Sequence, residues 1–76
     1  MVVAYAMVKA NTGEANRLRR DIDDVDGVVS AHIVAGDVDI IAKLDVADPE
    51  SVKQVVAEEI QRIDGVETTE TYIAME

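Results

Sequence analysis

The chain writes one phrase twice. Ile22 to Val29 reads IDDVDGVV and Ile60 to Glu67 reads IQRIDGVE; their glycines, Gly27 and Gly65, stand 38 positions apart in a chain of 76 residues. At the same offset Leu18 falls on Val56, Ile22 on Ile60, Val25 on Ile63 and Val28 on Val66. A repeat at half the chain length means two like units, neither large enough to bury its apolar face alone. The question becomes what two such units build together.

Val2 to Val8 is a continuous apolar run, long enough for a strand and too short for a helix. In the NTGE that follows, Asn11 is placed to cap a helix, with Glu14 three residues on as a capping box requires. Ala15, Leu18, Ile22 and Val25 recur at helical spacing and form one apolar face. Gly27 ends that helix, because glycine enters the left-handed conformation without a Cβ clash. Val28 to Ala35 reads as a second strand, Gly36–Asp37 as its turn and Ile40 to Val46 as a third strand. Asp48–Pro49 opens a second helix, with Asp as N-cap and Pro pre-set for the first turn. Val52, Val55, Val56, Ile60 and Ile63 line its face, Gly65 closes it, and Val66 to Met75 is the last strand.

Each half is thus strand, helix, glycine, strand, and the repeated phrase is a helix end turning into a strand. Two such units in tandem give βαββαβ, an α+β ferredoxin-like sandwich with a four-stranded antiparallel sheet and two helices on one face. The first and third strands are expected at the centre. Strand one is apolar on both sides, with Val3, Tyr5 and Met7 alternating with Val2, Ala4, Ala6 and Val8. Only one set can meet the helices. The other would be an exposed apolar patch, so a homodimer paired through its sheets is expected.

Length and composition narrow the rest. Seventy-six residues make a single domain, 1–76, and a chain this short buries only roughly 60–65% of its unfolded surface. With no cysteine, disulfides, thiolate metal sites and thiol chemistry are excluded. No apolar run approaches the roughly 18–20 residues of a membrane span, and MVVAYAMV lacks the length and basic start of a signal peptide. A cytoplasmic protein is expected. Sixteen Asp and Glu against seven Lys and Arg give a net charge of −9, which argues against direct nucleic-acid binding. The excess acid reads either as an interaction site or as a solvated surface tuned for high salt; the presence of only three lysines favours the second.

No residue pattern points to catalysis, a metal or a cofactor. His32, the only histidine, sits mid-strand without the partners a general base or metal site needs, and suits a structural or interface role. DIDDVDG lacks the spacing of a calcium loop, so Asp23, Asp24 and Asp26 read as solvated. Arg17, Arg19 and Arg20 each have an acid four residues on, at Asp21, Asp23 and Asp24, which makes a self-neutralised helix surface rather than a basic patch. There is no nucleophile motif, phosphate-binding glycine loop or helix-turn-helix. Two stretches remain. AGDVDI places a glycine and two carboxylates at the tip between strands two and three, and ETTET places Thr69 and Thr71 on one face of strand four. By themselves they read as a polar turn and a β-branched strand.

At these residues the sequence resembles a family. The order TGE…L…I…VDGV…AHIVAGDVDIIAKLDV, then IDGVETTETYIAM, is similar to the effector (RAM) domain of Lrp/AsnC transcriptional regulators, over essentially the whole chain. The matching marks are Gly36 and Asp39 in G-x-x-D, and Gly65–Val66 followed by Thr69-x-Thr71; Val38 stands where the family often has Tyr. The chain resembles the stand-alone type without the DNA-binding helix-turn-helix. The resemblance implies amino-acid sensing by dimers that pair through their sheets and assemble into rings of the octamer or decamer type. It also implies a ligand between dimers near the G-x-x-D turn, and action through oligomerisation or association with a full-length Lrp/AsnC regulator. Asp39 is then expected to accept from the ligand ammonium. Thr69, Thr71 and the Gly36 amide are expected to donate to its carboxylate. Two other classes stay open: a small dimeric α/β-barrel enzyme of the monooxygenase kind, and a purely structural docking partner.

The charge generates a first prediction. Self-repulsion among exposed acids is screened over about 10 Å at 0.1 M salt and less above that. The melting temperature should therefore rise between low and molar potassium chloride. A flat or falling curve would count against a salt-tuned surface.

Overall fold

The two copies of the repeated phrase make the same hydrogen bonds. In the first, the Val25 and Val28 amides donate to the Ile22 and Val25 carbonyls, each at 3.1 Å. In the second, Ile63 donates to Ile60 at 3.0 Å and Val66 to Ile63 at 3.1 Å. Each pair of bonds unwinds a helix end into a strand, and at each turn the glycine carries a positive φ, 99° at Gly27 and 106° at Gly65. The glycine carbonyls then tie each turn to the sheet: Gly27 accepts from the Asp45 amide at 3.0 Å and Gly65 from the Asn11 amide at 2.9 Å.

The computed structural model describes residues 1–75. The order is β1 (Val2–Ala10), α1 (Ala15–Asp23), β2 (Val28–Ile33), β3 (Ile40–Val46), α2 (Pro49–Lys53) running on as a π-helical stretch (Gln54–Ile60), and β4 (Val66–Ile73). This is the expected βαββαβ chain. The four strands stand in the order β2-β3-β1-β4 and every pairing is antiparallel. β1 and β3, the two most apolar strands, are central, as the ferredoxin-like layout requires.

The register sorts the sheet into rows. On the helix side, Ala31, Ala42, Ala6 and Thr71 form one row across β2, β3, β1 and β4. Ile33, Ile40, Val8 and Thr69 form the next, and Val28, Leu44, Ala4 and Ile73 the third. Leu18 and Ile22 of α1 and Val52, Val55, Val56 and Ile60 of the second helix join the central-strand residues of these rows in one core. Leu18, Ile22, Ile40, Leu44 and Ile60 are wholly buried; each such side chain contributes about 1.5–3 kcal/mol by leaving water. The opposite face carries Val3, Tyr5, Met7 and Ile41, with Tyr72 on β4 beside Tyr5. The last strand continues past β4 far enough for the Ala74 amide to donate to the Val3 carbonyl at 2.8 Å.

Three local expectations are corrected. Asn11 does not cap α1. Its amide is drawn to Gly65, the Thr12 hydroxyl accepts from the Glu14 amide at 3.1 Å, and the Glu14 carboxylate accepts from Arg17 Nε at 2.8 Å, so no reciprocal box forms. Strands two and four are shorter than their apolar patterns, ending at Ile33 and Ile73. The second helix is α-helical only in its first turn and then widens to i→i−5 bonds, as in Gln61 N–H to Val56 C=O at 2.9 Å. The widening accompanies a double burial. Val55 and Val56 are both buried, whereas α1 has Arg17 and Leu18 at the equivalent positions and buries only the second.

Asp48 caps this helix as expected. Its Oδ1 accepts from the Ser51 amide and the Ser51 hydroxyl, both at 2.8 Å. The Ser51 amide first, and then the hydroxyl, hold the Asp48 carboxyl below its ordinary 3.8. With a lowered folded-state value, the cap stabilises the fold above the ordinary value. That contribution is lost as pH falls through the lowered one.

The glycine turns generate a second prediction. A Cβ on Gly27 would lie 3.1 Å from methyls of Val46 and Val55, and one on Gly65 would lie 2.9 Å from Thr12 Cγ2. Gly27→Ala and Gly65→Ala should each lose about 1–2 kcal/mol from the left-handed strain, with crowding added. Gly36 has neither a positive φ nor a neighbour within 4 Å. Gly36→Ala should fall within about 0.5 kcal/mol of the parent. Urea denaturation of the three variants checks this, and equal losses at Gly36 would refute it.

Candidate ligand site

The helix-side rows of the sheet end at β4, and there they change character. The row of alanines finishes on Thr71 and the row above it on Thr69, both on the side facing the second helix. That helix does not reach the outer edge of β4. What it leaves is an open cleft of about 370 Å³ between the π-helical stretch and the edge strand. Val52, Val56 and Ala57 supply its apolar floor, with Pro49 at one end. Lys53, Gln61, Thr69 and Thr71 supply its polar groups.

These groups are partly preoccupied and partly free. Thr69 Oγ1 donates to Gln61 Oε1 at 2.9 Å, and Gln61 Nε2 lies 3.5 Å from the Glu67 carbonyl. Among the described residues the Thr71 hydroxyl has no hydrogen-bond partner, and ion pairs are made by Arg17 alone. Lys53 is therefore a cation without a carboxylate. An apolar floor with a few convergent donors is the usual chemistry of a small-molecule site, and π-helical widenings recur at functional sites.

The turn between β2 and β3 is a different place. Asp39 is pinned there: its amide donates to the Val8 carbonyl, and its carbonyl accepts from the Val34 amide, each at 2.9 Å. Its carboxylate is also employed, since Oδ2 accepts from the Ala10 amide at 2.8 Å, where the β1–β4 register shifts between Lys9 and Ala10. Gly36 is exposed in the same turn. So Thr69 and Thr71 share one cleft, and Gly36 and Asp39 share one turn. Neither of the latter lines the cleft of the same chain.

Other candidates fall outside both. His32 stands on the open sheet face in a row with Ile41, Met7 and Glu70. Of the three arginine pairs expected on α1, Arg17 with Asp21 forms at 2.9 Å, and Arg17 also reaches Glu14. The hydrogen bond that Arg17 donates to Glu14 first, and then the one it donates to Asp21, raise the pKa of its guanidinium. Arg17 Nη2 donates to the Asp64 carbonyl at 3.0 Å, joining α1 to the second repeated phrase. Among the described residues Arg19 and Arg20 form no ion pair; Arg19 turns instead toward the Ala31 carbonyl at 3.4 Å. Lys53 and Gln61 were not singled out by sequence reasoning. Their only signal is the recurrence of Lys53, Ala57 and Gln61 every four residues beside the buried Val52, Val56 and Ile60.

This is a small βαββαβ domain with a cleft at its edge strand and a pinned Asp in the β2–β3 turn. The chain belongs to the Lrp/AsnC ligand binding domain family, whose pattern it matches over residues 3–76. It is 26% identical over 76 residues to the leucine-responsive regulatory protein of Haemophilus influenzae, spanning 46% of that protein's length. Among solved structures, TTHA0845 from Thermus thermophilus is 28% identical and superposes with a TM-score of 0.93, covering all of this chain and 95% of that one. E. coli AsnC shares the fold at a TM-score of 0.89 and 21% identity, with 99% of this chain covering 51% of that one.

Asp39 generates a third prediction. Asp39→Ala leaves the part-buried Ala10 amide without its acceptor and should cost about 1–2 kcal/mol. Asp39→Asn keeps an acceptor oxygen in place and should cost less than half of that. Equal losses in urea denaturation would show that the Ala10 bond contributes nothing.

Proposed function

We propose that this domain senses a small effector, an amino acid in the first instance, and acts on transcription through its own assembly or through association with a full-length Lrp/AsnC regulator. The observation that carries the reading is the match to a ligand-binding family over residues 3–76. The cleft beside β4 supports it, because Thr71 offers a free hydroxyl donor to a carboxylate above an apolar floor, beside Thr69, whose hydroxyl is donated to Gln61. Asp39, with one carboxylate oxygen on Ala10, offers its other oxygen to an ammonium. Since cleft and turn are separate within one chain, the complete site is assembled between copies. Methionine is a natural first probe: a Neisseria meningitidis regulator, NMB0573, which shares the fold at 14% identity, is described as a complex with L-Met.

The assembly is a homodimer through the open sheet face, with dimers joining into a ring. Val3, Tyr5, Met7 and Ile41 support it, since they form an apolar patch that the helices of the same chain cannot cover. An enzyme reading is less well supported, because His32 lies on that face and not in the cleft. A docking partner without a ligand would use the same face.

Two measurements test this. Sedimentation at micromolar concentration should give at least twice the mass of one chain, and Tyr5→Asp should shift it toward a single chain. A monomeric parent would sink the assembly. Thermal shift against the twenty amino acids should then find at least one that raises the melting temperature, since a ligand of the native state stabilises it. For that ligand, Asp39→Asn should weaken binding roughly ten- to a hundredfold, as a charge-assisted bond is worth about 1.5–3 kcal/mol. Thr69→Val and Thr71→Val should cost somewhat less. If Asp37→Asn costs as much as Asp39→Asn, general electrostatics and not a placed carboxylate is responsible.

A further inference from the structure

In the cleft beside β4 the local charge opposes that of the molecule. Sixteen of the chain's residues are Asp or Glu, yet among the described residues no carboxylate lines the cleft. Its single charged group is Lys53, which has no ion-pair partner among the described residues. Beside it stand the Thr69 and Thr71 hydroxyls and the Gln61 amide, whose oxygen is already taken by Thr69. A ligand end placed here meets donors and a cation, and finds no free acceptor of negative charge. The acceptor proposed for an ammonium, Asp39, belongs to the β2–β3 turn and holds Ala10 of β1.

We propose that the cleft recognises the carboxylate and the apolar side chain of its ligand without an amino group, so that 2-oxo acids occupy it as the amino acids of the same carbon skeleton do. The inference rests on the sensing role proposed above and adds to it the ligand class. A 2-oxo acid keeps the carboxylate for Lys53 and the Thr71 hydroxyl, while Thr69 stays bound to Gln61. It adds a keto oxygen that can only accept, which suits a donor-rich rim. Losing the ammonium leaves no group of the cleft unpaired, so the usual penalty against the deaminated analogue is missing. The floor of Val52, Val56 and Ala57 takes a short branched side chain in either case. Preference for the amino acid is then set outside the cleft, at the Asp39 turn.

The test is a titration of the full chain, labelled with 15N, with three probes: leucine, 4-methyl-2-oxopentanoate and leucinamide. The oxo acid should bind within about tenfold of leucine, and leucinamide, which keeps the ammonium but lacks the carboxylate, at least about tenfold more weakly. The amides of Lys53, Gln61, Thr69 and Thr71 should shift with both acids. Lys53→Gln, at an exposed position, should weaken both acids alike by about five- to tenfold, whereas Asp39→Asn should weaken leucine alone. The proposal is overturned if leucine binds and the oxo acid does not, if leucinamide matches leucine, if Lys53→Gln changes nothing, or if the shifts cluster elsewhere. Each of those results leaves amino-acid sensing standing. If none of the three binds, this inference falls, and the amino-acid panel decides whether sensing falls with it.

Discussion

The closeness with which two helices can lie on one sheet is set here by a row of small side chains. Ala31, Ala42 and Ala6 stand side by side across β2, β3 and β1, on the face that meets the helices. Larger residues flank them, Ile40 and Val8 on one side and Leu44, beside the small Ala4, on the other. The sheet is therefore low along its middle and high at its margins. The branched side chains of Leu18, Ile22, Val56 and Ile60 share one buried core with this row, so that a chain with no Phe or Trp still packs without large rings. Bulk at Ala6 or Ala42 would hold both helices off the sheet at once.

The same row explains where the cleft lies. β4 is an edge strand, and a cleft opens between it and the second helix. Where the row runs out from under the helix, alanine gives way to Thr71, and the neighbouring row ends in Thr69. A fully covered position there would call for an aliphatic side chain; a position at the rim of a cleft tolerates a hydroxyl. The polar groups of the site are thus a product of incomplete cover. The Asp39 turn arises differently, from the need to satisfy an amide of β1 where its pairing with β4 slips.

Much of this was legible in the sequence. The half-chain repeat, with the strand and helix patterns of each half, led to βαββαβ, and its recurring Ile22, Val25 and Val28, as Ile60, Ile63 and Val66, make matching bonds. Asp48–Pro49 was equally readable, since a cap acts on amides within its own turn. Asn11 was not. Its capping pattern is local, but the bond it makes crosses the molecule to Gly65, and no local pattern records that competition. Lys53 and Gln61 escaped notice because an exposed Lys and Gln on a helix are the commonest of residues. Only the edge of β4, brought alongside by the fold, makes them part of a site. Asp39 could be picked out by resemblance, yet its bond to Ala10 depends on a register slip that only the paired strands reveal.

The contact between Ala74 and Val3 has a topological consequence. It brings the two ends of the described chain side by side on neighbouring strands, at the same margin of the sheet. Joined there, the backbone would become a closed loop of two segments with the same order of elements. Opening that loop at the exposed turn around Gly36 would give β3, the second helix, β4, then β1, α1 and β2, with every pairing kept. Such a molecule has no natural first half. Which segment leads is an accident of where the loop was cut, and the fold itself is indifferent to it.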